Sequence, residues 1–187
     1  MKSSNRPSTA WGFLTVLDYG EQGLIGGYLV LNQAGRPLEF HCTAPVKPNR
    51  AQQILFGPTL GPYLYGEQIG QTLASKGSNR TAAIYTDAAA VLALRDFVDV
   101  PVVLVLPADE TTAAADQRTS RIDRGHGLTQ LARFAVGTNR LAVAERHRDD
   151  ERTIVAGWQS HDGFDLAEPF ERIREAIAEA QRQSRAA

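Results

Sequence analysis

The first third of the chain alternates short apolar runs with glycine-bearing turns. Three runs, WGFLTVLDY, GLIGGYLVLNQ and LEFHCTAPV, are rich in the β-branched and aromatic residues typical of strands. Gly35 supplies the positive φ for a tight turn between the second and third runs. Gly26 and Gly27 indicate a bulge or a close approach of another backbone. The pattern predicts an N-terminal three-stranded antiparallel meander.

The spacing of apolar residues changes to a helical period between residues 47 and 77. Asn49 is suited to cap a helix N-terminus, and Gly77 to end one. Two Gly-Pro pairs, at 57–58 and 61–62, interrupt the segment, which predicts a short helix, a kinked turn and a longer helix. One face of this helical region contains Leu60, Leu64, Ile69 and Leu73.

The clearest unit of the chain follows, in the order strand, helix, strand. RTAAIYTD predicts a short strand, AAAVLALRDFVD a helix, and VPVVLVLPAD a second strand. The second strand is almost continuously apolar from Val100 to Leu106, which is typical of a strand buried on both faces. The unit therefore predicts a β-α-β arrangement in the middle of a sheet.

The remainder of the chain predicts a second meander and an amphipathic C-terminal helix. LTQLARFAVG, TNRLAVAERH and RTIVAGWQS have strand character, and RDDE is expected to be the turn between the last two strands. The final helix has one apolar stripe on an otherwise charged surface. The stripe consists of Leu166, Phe170, Ile173 and Ile177.

Together these elements predict an α+β fold with a mixed or antiparallel sheet and helices mainly on one face. Residues 1–9 are polar and unpatterned, as expected for a flexible tail. Residues 10–109 form the main α/β domain, and residues 110–127 form a loop or linker. Residues 128–187 supply the second meander and the C-terminal helix, as part of the same fold.

Composition narrows the function classes without selecting one. The 187 residues have a formal net charge of −1, which argues against a surface built wholly for nucleic acid or acidic membranes. The single cysteine excludes an internal disulfide and a cysteine-based zinc site. No cofactor, metal or membrane partner is expected, and the cytoplasm is the expected location.

That cysteine, Cys42, lies beside His41, but alternation along a strand points the two side chains to opposite faces. Leu38, Phe40 and Cys42 then share an apolar face, where the thiol is expected to fill part of the core. The opposite face is polar and is a candidate binding surface. That face contains Glu39, His41 and Thr43.

Two carboxylates follow the strands of the β-α-β unit. Asp87 closes the first strand and Asp109 follows the second, at the edge where open α/β sheets bind ligands. With His126, in the sequence GHG, they form a candidate acid–base site. The alternative for Thr86 or Asp87 is to cap the following helix, and the alternative for Asp109 is a solvated loop.

Three arginines, Arg118, Arg121 and Arg124, lie in the polar segment RTSRIDRGH and are candidates for binding phosphate. Interleaved acids and the lack of aromatic residues favour a solvated loop instead. The chain has no Walker lysine motif, no G-x-S-x-G and no H-E-x-x-H.

The leading expectation from sequence is a non-catalytic interaction or assembly module of a bacterial-type complex, with a protein partner or a second copy of itself. The first alternative is a small hydrolase that uses Asp87, Asp109 and a loop histidine. The second is phosphate or nucleic-acid binding through the arginine-rich loop, which is less favoured.

Overall fold

A computed structural model describes residues 10–107, 130–158 and 163–186, and these contain a seven-stranded mixed sheet. The strands are β1 (Ala10–Asp18), β2 (Leu24–Leu31), β3 (Pro37–Cys42), β4 (Thr81–Thr86), β5 (Val102–Leu106), β6 (Leu131–Val136) and β7 (Asn139–Ala144). Their order across the sheet is β3-β2-β1-β4-β5-β7-β6. The predicted tail (1–9) and the whole of the predicted linker (110–127) lie outside the described residues.

Strand directions confirm the predicted α+β class. β1, β2 and β3 form the antiparallel meander, and β4 pairs in parallel with both β1 and β5. β5 pairs antiparallel with β7, which in turn forms a hairpin with β6. β5 is therefore an inner strand with residues of both faces buried, as its continuous apolar sequence predicts.

Helical elements lie between and after the strands. Besides three short 3₁₀ turns, the described residues contain α1 (Arg50–Phe56), α2 (Leu60–Pro62), a π-helix (Tyr63–Gln71), α3 (Thr72–Lys76), a longer 3₁₀ segment (Ala89–Asp96), α4 (Asp150–Trp158) and α5 (Glu168–Ala186). Asn49 caps α1 as expected, because its side chain accepts a hydrogen bond from the Gln52 N–H at 2.8 Å. No helix in the described ranges is long and apolar enough to cross a membrane.

Helices cover both faces of the sheet, whereas the sequence pattern favours one. On the first face, Phe13 and Val103 form a core with the apolar stripe of α5. On the second face, Leu14 and Leu104 form a separate core with the π-helix, α3 and the 3₁₀ segment. Helices cover both faces because the inner strands have apolar side chains on both faces, and each face has to be shielded from water. The chain contains two apolar helical regions, and each of them covers one face.

Gly26 and Gly27 mark the points at which these two layers come closest to the sheet. A Cβ on Gly26 would lie 2.2 Å from Cγ2 of Ile69, on the π-helix. A Cβ on Gly27 would lie 2.3 Å from Cγ2 of Ile173, on α5. Adjacent strand residues point to opposite faces, so the glycine pair admits one helical layer on each side.

The segment RDDE is a correction to the predicted second meander. It lies at the start of α4 and is not a turn between strands, so the second meander is a two-stranded hairpin followed by a helix. Ile154 and Trp158, four residues apart, are both buried, which fits a helical period. Asp150 is also buried and accepts hydrogen bonds from Arg95 Nε at 2.7 Å and Nη2 at 3.2 Å.

The exposed face of β3 is a second correction. Cys42 is exposed and fills no core, while Leu38 and Phe40 are 41% and 38% exposed. β3 is an edge strand, and α5 packs on β1 and β2. The helix therefore does not cover the apolar face of β3. The polar face is the more buried of the two.

Gly27→Ala is expected to lower the free energy of unfolding by about 1–3 kcal/mol, because the added methyl group overlaps Ile173 and displaces α5. The control is Gly157→Ala in α4, where the new Cβ meets nothing within 4 Å and stability is expected to rise by about 0.5–1 kcal/mol. Urea unfolding measures both. Equal effects of the two substitutions would contradict the close approach of α5 to β2.

Candidate active site at the ends of the parallel strands

The carboxyl end of β4 lies beside the middle of β1, at the centre of the sheet. β1 continues to Asp18 before the chain turns towards β2, whereas β4 ends at Thr86 and the chain turns towards β5 on the other side. In open α/β sheets, ligands bind at the point where the connections of adjacent parallel strands diverge in this way, and we call this point the crevice. Leu14 pairs with Thr86, so the next residues, Thr15 and Asp87, are neighbours at this crevice.

The backbone turn after β4 directs the Asp87 side chain away from a capping role. The Thr86 hydroxyl accepts the Ala88 N–H at 3.1 Å, so Thr86 holds the turn. The following 3₁₀ segment begins after Ala88 and has no side-chain cap. Asp87 instead lies on the face of the sheet covered by α5 and contacts that helix.

The two carboxyl oxygens of Asp87 have different surroundings. Oδ2 accepts a hydrogen bond from Nη2 of Arg174, and the side chain as a whole is 21% exposed. Oδ1 is buried and has no partner of full hydrogen-bonding geometry among the described residues, although the Thr15 hydroxyl makes a weaker hydrogen-bonding contact with the carboxyl group. A buried polar atom without a partner is rare in folded proteins and marks a site of stored free energy or of ligand contact.

The electrostatic balance raises the pKa of Asp87 above its ordinary value. Burial is the largest cause, because it disfavours the charged form. The nearby Thr15 hydroxyl and the Arg174 guanidinium lower the pKa, and the Glu171 carboxylate raises it. At a given pH, the neutral form of this carboxyl group is therefore more populated than it would be in water.

Arg174 joins this buried carboxyl group to the surface of α5. Its Nη1 donates to Glu171 Oε1 at 2.6 Å, while Nη2 donates to Asp87. Glu171 is 70% exposed, Arg174 37% and Asp87 21%. The three side chains thus form a chain of charges from solvent to the crevice, with two carboxylates for one guanidinium.

The other predicted catalytic and phosphate-binding residues lie outside the described residues. These are Asp109, His126, Arg118, Arg121 and Arg124. Within the described ranges, no group of three or more His, Cys, Asp or Glu side chains is arranged to hold a metal ion.

The polar face of β3 has a structural role. Glu39 accepts hydrogen bonds from the Ser78 N–H at 3.0 Å, the Asn79 N–H at 2.8 Å and the Asn79 amide at 3.0 Å, and lies 3.1 Å from His41 Nε2. The Thr43 hydroxyl accepts the Gly26 N–H at 3.0 Å. These contacts attach the loop before β4 to the edge strand, and a binding function for this face stays a prediction.

Thr15 and Arg174 belong to the site but escape a search for catalytic motifs. Thr15 is the one polar residue between the apolar positions 10 and 17 of β1, and it is almost fully buried. Arg174 follows Ile173 of the α5 stripe directly, so it lies at the margin between the apolar and charged sides of the helix. The sequence context shows only where Thr15 lies in its strand and Arg174 in its helix. Their contact with Asp87 is produced by tertiary packing.

Comparison with known proteins finds no matching protein-family model and no significant match among curated proteins. Solved structures match in fold over most of the chain. Human endonuclease V is 18% identical, with a TM-score of 0.48, covering 96% of this chain and 87% of the other. An endonuclease V variant from Ciona intestinalis, bound to a 23mer DNA that contains an inosine, is 9% identical, with a TM-score of 0.49 and coverages of 92% and 87%.

These comparisons contradict the leading expectation from sequence. The matched structures are nucleases, so the expectation of a non-catalytic interaction or assembly module is wrong. The expectation of a protein partner or homo-oligomer, with nucleic acid disfavoured, is wrong as well, because two of the structures contain DNA. At this level of identity the likeness concerns the fold, and any activity has to be argued from the residues of this chain.

Glu39→Gln is expected to destabilise the protein by about 1–3 kcal/mol at neutral pH, since it removes a charged hydrogen-bond acceptor. Burial alone would raise the pKa of Glu39, but bonds from Ser78, Asn79 and His41 outweigh it and lower the pKa from 4.5 to about 2. The stabilisation is therefore present above 4.5 and is lost as pH falls towards 2.

The measurement is urea unfolding of wild type and Glu39→Gln over that range of pH. The difference between them is expected to shrink as pH falls. Glu21→Gln, at an exposed position in the turn after β1, is the matched control and is expected to show no difference. A pH-independent difference at Glu39 would contradict the role assigned to its charge.

Asp87→Asn is expected to leave stability at neutral pH unchanged or higher, because it removes a buried charge while Arg174 keeps Glu171. A raised pKa in the folded state means that the stability contributed by Asp87 is complete below the unfolded pKa. It is lost as pH rises through the folded pKa. Wild type should therefore lose stability relative to Asp87→Asn as pH rises, which urea unfolding between about pH 4 and about pH 8 would show.

A large loss of stability in Asp87→Asn would instead identify the contact with Arg174 as an ion pair that stabilises the fold. Breaking a buried ion pair that stabilises the fold typically lowers stability by about 3–5 kcal/mol. A loss of that size in Asp87→Asn at neutral pH would remove the argument for a functional carboxyl group.

Proposed function

We propose that this protein is a small hydrolase whose reaction takes place at the carboxyl end of β4, beside the middle of β1, with Asp87 as the acid–base residue. The observation that carries the proposal is the partly buried carboxyl group at the central crevice, with a raised pKa and one oxygen that has no partner of full hydrogen-bonding geometry among the described residues. Acid–base residues of enzymes need such a shifted pKa, and burial is a common way to obtain it.

The chemistry assigned to Asp87 is proton transfer at Oδ2. Hydrolysis adds water across a bond, so the attacking water loses a proton and the leaving group gains one. Oδ1 is buried, so the accessible part of the carboxyl group is on the side of Oδ2, where Arg174 donates. In its ionised form Asp87 accepts the proton of the water there, and in its neutral form it donates a proton to the leaving group.

Asp109 and His126 remain part of the proposal as residues of the same site. β5 runs parallel to β4, and its carboxyl end lies at the same edge of the sheet as Asp87. Asp109 follows Leu106, the last residue of β5, by three residues in the sequence. A second carboxyl group close to Asp87 would allow one to act as acid and the other as base.

A nucleic acid strand is the substrate to test first. The solved endonuclease V structures supply this choice, since two of them hold DNA that contains an inosine. Arg118, Arg121 and Arg124 are proposed to hold backbone phosphates, since guanidinium groups match phosphate geometry. A cytoplasmic location is proposed as well, supported by the single cysteine.

The test is hydrolysis by the purified chain of labelled single-stranded DNA and RNA, with and without inosine, and of nitrophenyl phosphate and acetate esters. Asp87→Asn is expected to lower kcat/KM by at least about 100-fold, since positioned acid–base residues contribute about that much or more. The folded state of the variant is checked by circular dichroism, so that a loss of activity is not a loss of structure.

Asp96→Asn is the matched control. Asp96 is also a carboxylate paired with an arginine, Arg146 at 2.6 Å, but it ends the 3₁₀ segment and lies away from the crevice. Its substitution is expected to leave the rate unchanged. Absence of hydrolysis of every substrate by wild type, or equal rates for wild type and Asp87→Asn, would end the proposal.

A further inference from the structure

We propose that Arg174 forms a binding site for a phosphate group, and that this phosphate and the Asp87 carboxylate compete for the same guanidinium. The proposal rests on the proposed function only in naming a substrate phosphate as the ligand. Binding of the anion itself depends on the geometry around Arg174 and is measured without any reaction.

The position of Arg174 is set by the packing of α5. Phe170, Ile173 and Ile177 are each at most 2% exposed, and they hold the helix against β1 and β2. Ile173 precedes Arg174 directly, so the backbone that carries the guanidinium is anchored by its neighbour. The side chain therefore extends from a fixed point above the crevice, as a residue that recognises a ligand requires.

The present partners of the guanidinium are exchangeable. Nη1 is bound to Glu171, which is 70% exposed, and ion pairs at such exposed positions contribute little stability. Nη2 is bound to Asp87, and the Thr15 hydroxyl remains beside that carboxyl group when the guanidinium changes partner. A phosphate offers several oxygens to the planar fork of an arginine and can replace both carboxylates.

The charges of the site also link anion binding to proton uptake. The groups that face one another are Asp87 at the end of β4, Thr15 on β1, and Glu171 and Arg174 on α5. One guanidinium serves two carboxylates, so an arriving anion leaves Asp87 without its cation. A proton taken up from solution onto Oδ2 then makes Asp87 neutral, and the new O–H group can donate to the anion.

The experiment measures binding of two probes to the full chain, inorganic phosphate and dimethyl phosphate, by amide chemical shifts in an NMR titration. At neutral pH, Asp87→Asn and Glu171→Gln are each expected to bind about two to five times more tightly than wild type, because each removes a competing carboxylate. Arg174→Met is expected to lose binding. Arg174→Lys, which keeps the charge without the fork, is expected to bind more weakly than wild type.

Arg182 and Glu179 provide matched controls on the same helix. They form an ion pair at 2.6 Å with the same three-residue spacing as Glu171 and Arg174, but both are exposed and lie away from Asp87. Arg182→Met and Glu179→Gln are expected to leave binding of both probes unchanged. Equal binding by wild type and Arg174→Met, or binding by Asp87→Asn no tighter than by wild type, would overturn the proposal.

Dimethyl phosphate separates the titration of the protein from that of the ligand, since its charge is constant between weakly acidic and neutral pH. Wild type is expected to bind it more tightly as pH falls, and Asp87→Asn is expected to show no such trend. Binding of inorganic phosphate alone would support the site and identify free phosphate as its ligand, whereas binding of the diester would identify a strand phosphate. A chain that binds these probes but hydrolyses nothing would keep this inference and end the proposed function.

Discussion

The docking of α5 on the first two strands is the constraint on which the rest of the structure depends. Gly27 has no Cβ, and the space it leaves admits Ile173 of the helix against β2. That approach fixes the height of α5 above the sheet and completes the core of one face. It also brings the charged margin of the helix over the carboxyl end of β4, where Arg174 contacts Asp87.

The candidate site follows from this arrangement as a matter of electrostatics. A carboxyl group at the end of a central strand is buried by the helix that covers it, and burial raises its pKa. The same helix supplies the guanidinium that makes burial of the charged form tolerable. A carboxyl group held between these opposing effects changes its protonation state when its cation is withdrawn, which suits it to proton transfer beside a bound anion.

Several features of the fold follow from local sequence. The continuous apolar run of β5 indicates burial on both faces, as the structure shows. The glycine pair in β2 predicts a bulge or a close backbone approach, and the structure instead packs the side chains of Ile69 and Ile173 against the two glycines. Other features were mispredicted because local patterns are ambiguous. RDDE suits a turn and a helix N-terminus equally well, and the burial of Asp150 against Arg95, 55 residues earlier in the chain, is decided by tertiary packing.

The sequence by itself determined the seven strands that the structure shows, the apolar stripes and the position of Asp87 at a strand end, because these depend on residues close together in the chain. Tertiary structure decided which face of each strand is covered. It left Cys42 exposed on an edge strand and placed Thr15 and Arg174, distant in sequence, beside Asp87. Such contacts depend on sheet order and helix docking, which are set by the packing of the whole chain and not by the spacing of neighbouring residues.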